Sequence, residues 1–258
     1  MARQTQDDRP KNPVRGASRT SRAERDYAKQ LKLLSRQVGG LIESYASGLH
    51  GLPTLTQLLT AYAEGLVPWA KRVASRMLGE VDLRDRDAWR SLGNAISAQL
   101  HQDIRNAPVG VRMSELLGLQ VTLITSIPLE AAQRVQELAV KARIEGGRAR
   151  EIAQEIARSG EVAESRAVLI ARTETSRAAS VLLQARAESI GSVAYLWRTS
   201  MDGSVRDSHR KMEGKLVHWD APPTLDNLTG HAGALPNCRC WPEPVISDPY
   251  KPERRSRS

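Results

Sequence analysis

Residues 161–197 read EVAESRAVLIARTETSRAASVLLQARAESIGSVAYLW. From Glu161 to Ile190 there is no Pro and no Gly, and Ala, Leu, Glu, Gln and Arg dominate. Those residues keep their rotamer freedom in a helix, so one long helix is expected over 162–189, closed by Gly191. The side chains then change type. Val193-Ala194-Tyr195-Leu196-Trp197 is the β-branched and aromatic mixture of a strand, and Met201-Asp202-Gly203 signals the turn after it. A long helix running directly into a short strand marks a change of architecture at this point.

Upstream, the period is helical. Tyr27, Leu31, Leu34, Val38, Leu41, Tyr45 and Leu49 recur at three- and four-residue steps, and Gly51 and Pro53 end that helix. Thr54 can cap the next stripe, Leu55 to Met77, which Pro68 should kink. The charged run Asp82–Asp87 reads as a break, with a third stripe at Trp89, Leu92, Ile96, Leu100 and Ile104 beyond it. Residues 109–127 are apolar but irregular, and Ser126 and Pro128 read as the opening of a helix that Gly146-Gly147 ends. A short helix over 148–158 follows, and Gly160 separates it from the long one. Downstream, Lys215–Trp219 is a second strand candidate, and Asp220–Pro252 is rich in Pro, Gly and Asn.

The expected fold is mainly α: an elongated helical N-terminal region, then a small loop-rich α+β C-terminal module, with flexible basic tails. The boundaries expected are 1–26 for the first tail, 27–160 for the helical region, 161–248 for the module and 249–258 for the second tail.

Composition narrows the function. The chain has 258 residues, 40% hydrophobic and 26% charged, so it can bury a core and is not of disordered type. No uncharged stretch is long enough for a bilayer, and the N-terminus lacks the apolar segment of a secretory signal, so no membrane partner is expected. Two cysteines, Cys238 and Cys240, exclude a disulfide scaffold and fit a reducing compartment. The net charge is +9, and residues 1–26 and 249–258 carry +3 each. Arg254, Arg255 and Arg257 in the second tail are the candidate contacts to a polyanion such as DNA, non-specific and salt-sensitive; the alternative is a solubilising role alone.

Three groups of residues bear on chemistry. His209, His218, His231, Cys238 and Cys240 are the donor types of tetrahedral zinc, and a structural site would take the two cysteines with two histidines. The Cys-Arg-Cys spacing is shorter than that of most zinc knuckles, and the competing reading is buried thiols with hydrogen-bonded histidines. Ala171-Arg172-Thr173-Glu174-Thr175-Ser176-Arg177, in the middle of the long helix, is either a solvated face or a pair of charges, Arg172 and Glu174, that reach into the C-terminal loops. Asp202-Gly203-Ser204-Val205-Arg206-Asp207-Ser208-His209 offers Asp202 or Asp207 as the carboxylate that orients His209. There is no P-loop, no His-Glu-x-x-His and no catalytic carboxylate pair. A metal-dependent hydrolase or nuclease would thus rest on the His/Cys cluster alone.

In order along the chain stand Leu123-Ile-Thr-Ser-Ile-Pro128, Ile170-Ala-Arg-Thr-Glu-Thr175, Trp197-Arg-Thr-Ser-Met-Asp202, Val205-Arg-Asp-Ser-His209, Gly214-Lys215, Trp219-Asp-Ala-Pro-Pro223 and Asn237-Cys-Arg-Cys240. This ordered set, over about residues 120–246, resembles the phage head morphogenesis proteins of the Mu F type. The resemblance implies a non-enzymatic minor head protein. It would be made in the host cytoplasm and incorporated into the virion, with the portal protein, the major capsid or scaffold proteins and DNA as partners. It marks Arg172, Glu174, Asp202, Arg206, His209, Asn237, Cys238 and Cys240. Where many relatives have His-Pro before the Cys-x-Cys, this chain has Leu235-Pro236, which leaves His231 as the candidate fourth zinc ligand.

Overall fold

The computed structural model describes residues 20–46, 52–96, 107–145 and 149–246. The helices are α1 (Ser21–Ala46), α2 (Leu52–Gly65), α3 (Val67–Ile96), α4 (Val109–Glu145), α5 (Ala149–Ala157) and α6 (Ser159–Ser189). After α6 come β1 (Ala194–Arg198), the single-turn α7 (Asp207–Arg210), β2 (Leu216–His218), β3 (Thr224–Leu225), β4 (Leu228–Thr229) and β5 (Trp241–Pro244). The chain is therefore mainly helical, with a small sheet region near its C-terminus. No helix among the described residues is long and apolar enough to cross a membrane. The basic residues Arg254, Arg255 and Arg257, and residues 1–19 of the first tail, lie outside the described residues. Residues 21–26, expected as tail, are the first turns of α1.

Two compact units divide the chain, one drawn from two stretches of sequence and the other from three. One holds Ser21–Glu80 and Met113–Thr175. Its described residues are helical, and α1 buries Tyr27, Leu31, Leu34 and Val38 of the expected stripe; Ile42, outside that stripe, is buried where Leu41 and Tyr45 are half-buried, and Leu49 lies outside the described residues. Inside it Tyr27 Oη donates to Gln120 Oε1 at 3.0 Å, and Gln120 Nε2 donates to Glu174 Oε2 at 2.9 Å. This buried chain spans three helices and satisfies each polar group it contains. Burial, and then the Glu174 charge, raise the Tyr27 phenol, which stays protonated. Helix α1 also touches the start of α6 backbone to backbone: a Cβ built on Gly160 would lie 2.9 Å from Gly39 Cα.

The other unit holds Met1–Thr20, Val81–Arg112 and Ser176–Ser258. Here the expected break at Asp82–Asp87 is corrected: α3 runs through it without interruption. Asp82 and Asp85 sit seven and four residues before Trp89 on the buried stripe, and Arg186 of α6 meets both. The charged run is a buried ion cluster inside a helix, which periodicity of apolar residues alone reads as a gap. Two further helix boundaries differ. Pro68 lies in the first turn of α3, where no intrahelical donor is lost, so the expected kink is a chain turn at Leu66 between two helices. Pro128 lies inside α4 instead of opening a helix, because Ile124, Ile127, Ala131 and Val135 continue one buried stripe across it.

The sheet follows from alternation. The order is β2-β1-β5, antiparallel throughout, with Tyr195 opposite Val217 and Leu196 opposite Glu243. Tyr195 and Trp197 share the buried face of β1. Pro242 and Pro244 are tolerated because β5 is an edge strand. β3 and β4 form a hairpin turning through Asp226 and Asn227, both at positive φ (51° and 64°), as a two-residue turn matched to strand twist requires. The core beneath the sheet joins Trp89, Leu183, Tyr195, Trp197, Val217 and Trp219.

Candidate metal centre

The sheet presents Trp197 inward, and the site is assembled on that ring. After β1 the chain turns at Met201 (φ 56°), and Asp202 fixes the loop by accepting from Ser204 N at 2.9 Å and Ser204 Oγ at 2.7 Å. The single turn of α7 then places His209, 2% exposed, edge-on to Trp197 with ring centroids 5.6 Å apart. From the other direction, Asn237 at φ 54° reverses the chain before Cys238, and Cys238 N donates to Leu235 O at 3.0 Å. Cys238 and Cys240 are two apart in extended backbone. Both therefore point to one side, 3% and 4% exposed, while Arg239 between them faces out to Asp202 and Ser204.

The three side chains converge. His209 Nδ1 lies 3.4 Å from Cys238 Sγ and 3.5 Å from Cys240 Sγ, and the three donor atoms all lie within 4.8 Å of one another. The Cys240 thiol and then the His209 ring lower the Cys238 thiol against the opposing effect of burial. The Cys240 thiol is raised by its bond to Cys238 and by burial. A cavity of about 20 Å³, bounded by these residues and by Ser204, Val205, Arg206 and Asn237, adjoins the cluster. It has room for one water. Arg206 closes this side, with Nη2 donating to Pro236 O at 2.5 Å and Nη1 lying 3.4 Å from His209 Nε2.

The residues fit zinc by donor type and by spacing. A tetrahedral ion with Zn–S of about 2.3 Å and Zn–N of about 2.0 Å separates sulfur from nitrogen by about 3.5 Å. The expected fourth ligand, His231, is not brought to the cluster. Its Nδ1 lies 3.2 Å from Tyr195 Oη, its ring packs edge-on against Tyr195 and Trp219, and burial lowers its basicity. His218 is exposed on β2, away from the group. The carboxylate expected to orient His209 is also placed elsewhere: Asp202 serves Ser204 and Arg239, and Asp207 lies 3.9 Å from Arg210.

Arg172 and Glu174 make contacts inside the all-helical unit. Arg172 Nε faces Glu24 at 3.5 Å and Glu174 accepts from Gln120, both in the all-helical unit. The next turn of α6 does what was expected of them. Ser176 Oγ donates to Cys238 O at 3.2 Å, Arg177 Nε and Nη2 both donate to Ala234 O, and Ser180 Oγ donates to Ala232 O at 2.8 Å. Gly233 (φ 84°) lies so close that a Cβ there would stand 3.2 Å from Ser176 Oγ and 3.0 Å from Cys240 O. Helix α6 thus holds the 232–240 loop by capturing its carbonyl oxygens. The signal available in the sequence was the run of small residues Ser176, Ala178, Ala179 and Ser180, which lets a loop approach the helix backbone.

Residues 133–242 match the family described as Phage Mu protein F like protein. That range runs from the second half of α4 to the start of β5. Among curated proteins, the chain is 28% identical over 250 residues to an uncharacterized protein of Haemophilus influenzae, covering 92% of this chain and 55% of that protein. It is 31% identical over 137 residues to the NAD(+)–arginine ADP-ribosyltransferase EFV of Enterococcus faecalis, covering 49% of this chain and 28% of that one. The chain therefore spans about half or less of the length of these relatives. No solved structure matches it.

Proposed function

We propose that this chain is a minor component of a phage head, acting in head morphogenesis, because its residues 133–242 match the family described as Phage Mu protein F like protein. On this reading it is incorporated into the virion during assembly in the host cytoplasm. It associates with the portal protein and with major capsid or scaffold proteins, and its basic tails touch packaged DNA. The family match carries the reading. The geometry adds one observation: within the matched segment, Ser176, Arg177 and Ser180 of α6 hold the 232–240 loop through its carbonyl oxygens. The charge in residues 1–26 and 249–258, +3 each, supports the DNA contact.

The hydrolase alternative draws no support from the site. His209, Cys238 and Cys240 are each under 5% exposed, and the adjoining cavity of about 20 Å³ admits a water and no substrate.

Mass spectrometry of gradient-purified full capsids and precursor heads from a producing culture tests the reading. The protein at low stoichiometry beside portal and major capsid protein is the expected result. Its absence from both particles would overturn it.

A further inference from the structure

We propose that His209 Nδ1, Cys238 Sγ and Cys240 Sγ bind a single zinc ion, with a water as the fourth ligand, and that this centre ties the α7 turn to the 232–240 loop. The inference does not depend on the head-protein reading. Three observations converge on it. The donor set is two thiols and an imidazole, the soft and borderline ligands that select zinc. The S···N separations of 3.4 and 3.5 Å are those of a shared tetrahedral shell, although these atoms come from segments 29 and 31 residues apart. A cavity of about 20 Å³ bounded by the same three side chains gives the shell room for one more oxygen.

The setting supplies the need for such a centre. The three-stranded sheet has strands of three to five residues and the separate hairpin strands of two, too little backbone pairing to hold long loops. Below such a size, small units are stapled by a metal or a disulfide. A Cys238–Cys240 disulfide across one intervening residue is disfavoured by geometry. The protein also spends strain to aim these thiols, holding Asn237 at φ 54° immediately before Cys238. Arg206 and Arg239 on the rim face His209 and Asp202 and add positive potential beside the thiolates.

The metal-free alternative uses the same atoms differently. In it, Nδ1–H of His209 donates to a thiolate and Nε2 accepts from Arg206 Nη1. With zinc on Nδ1, the ring proton moves to Nε2. The tautomer of His209 therefore distinguishes the two, and nitrogen-15 NMR of the ring reads it directly.

The test uses the full chain, purified without chelator and dialysed against zinc. Elemental analysis should find one zinc per chain, and a strong chelator should remove it and lower Tm. Cobalt exchanged for zinc should give intense thiolate-to-cobalt charge-transfer absorption with tetrahedral ligand-field bands. Cys238→Ser and Cys240→Ser should each lose the ion. His231→Gln should keep it, since His231 serves Tyr195. If the serine variants fail to fold, the cobalt spectrum and the His209 tautomer of the wild-type chain still decide. Folded wild-type protein that retains no zinc, a cobalt form without thiolate charge transfer, or His209 protonated on Nδ1 in the presence of zinc would each overturn the proposal. Loss of the ion from folded His231→Gln would overturn the ligand set.

Discussion

Arg186 is the residue on which the fold of the second unit can be tested most sharply. It is 3% exposed, and its guanidinium reaches Asp82 Oδ1 at 2.6 Å and also meets Asp85 Oδ2. Asp82 keeps a second partner in Arg86, whose side chain is 55% exposed, whereas Asp85 is fully buried. Trp89, one turn further along α3, faces the Asp85 carboxylate and favours its charged form. Arg186→Met keeps most of the apolar stem of the side chain and removes the guanidinium, with its charge and its hydrogen-bond donors. Removing one partner of a buried ion cluster costs about 3–5 kcal/mol, because the remaining charge stays desolvated. Protonation limits that cost. Burial, opposed by Arg186, already pushes Asp85 up to about 6, so without Arg186 it takes up a proton near neutral pH.

The expectation is therefore a loss of about 3–5 kcal/mol at pH 7.5, or very roughly 10 °C in Tm for a chain of this size, shrinking as the pH falls to 5. Urea unfolding followed by tryptophan fluorescence measures it, since Trp89, Trp197 and Trp219 lie in the core of this unit and report its opening. A loss under about 0.5 kcal/mol at both pH values would refute the reasoning: it would mean that Asp82 and Asp85 do not depend on a buried arginine, and that α3 does not run through them as described.

Other outcomes follow from the same geometry. The folded state holds the Asp85 proton up to about pH 6, against about 3.9 in the unfolded chain, so the associated stability is complete below about pH 4 and lost as pH rises through 6. The advantage of wild type over the non-titrating Asp85→Asn should then fall by up to about 3 kcal/mol between pH 4 and 7; parallel urea profiles for the two would contradict it. Gly160→Ala drives a methyl to 2.9 Å from Gly39 Cα and should cost about 1–3 kcal/mol, whereas Gly79→Ala in α3 meets nothing and should stabilise by up to about 1 kcal/mol, both read by thermal melts. Arg177→Leu removes both bonds to Ala234 O and should cost about 1.5–3 kcal/mol, with faster amide exchange confined to residues 232–240 as the local signature. Deleting residues 1–19 and 249–258 should weaken DNA binding and flatten its salt dependence in filter or anisotropy assays; binding unchanged by both deletions would dismiss the tails.

What could be read from the sequence was whatever is local. The α1 stripe, the long helix α6 and its hand-over to β1 at Gly191 depend on neighbours within a turn or two, and residue type alone carries them. The metal-ligand group was partly legible, because Cys and His are rare and their chemistry narrows the options; His209, Cys238 and Cys240 do converge, while His231 does not. What failed depends on distant partners. Asp82 and Asp85 look like surface charges until Arg186, 104 and 101 residues away, is seen beside them. Arg172 and Glu174 stand one turn from Ser176, Arg177 and Ser180 on the same helix, yet the first pair serves one unit and the trio serves the other.

That division along α6 has a consequence for how the matched family segment should be understood. Its most chemically distinctive residues, Arg172 and Glu174 at one end and the Cys-Arg-Cys at the other, are not parts of one site. Glu174 completes a buried hydrogen-bond chain with Gln120 and Tyr27, so it fixes how α1, α4 and α6 associate. The small polar residues just after it fix the loop that carries Asn237, Cys238 and Cys240. A substitution at Glu174 should therefore loosen the helices and leave the thiol cluster intact, and a substitution at Ser180 should do the reverse. A sequence pattern that spans both reflects one helix doing two structural jobs.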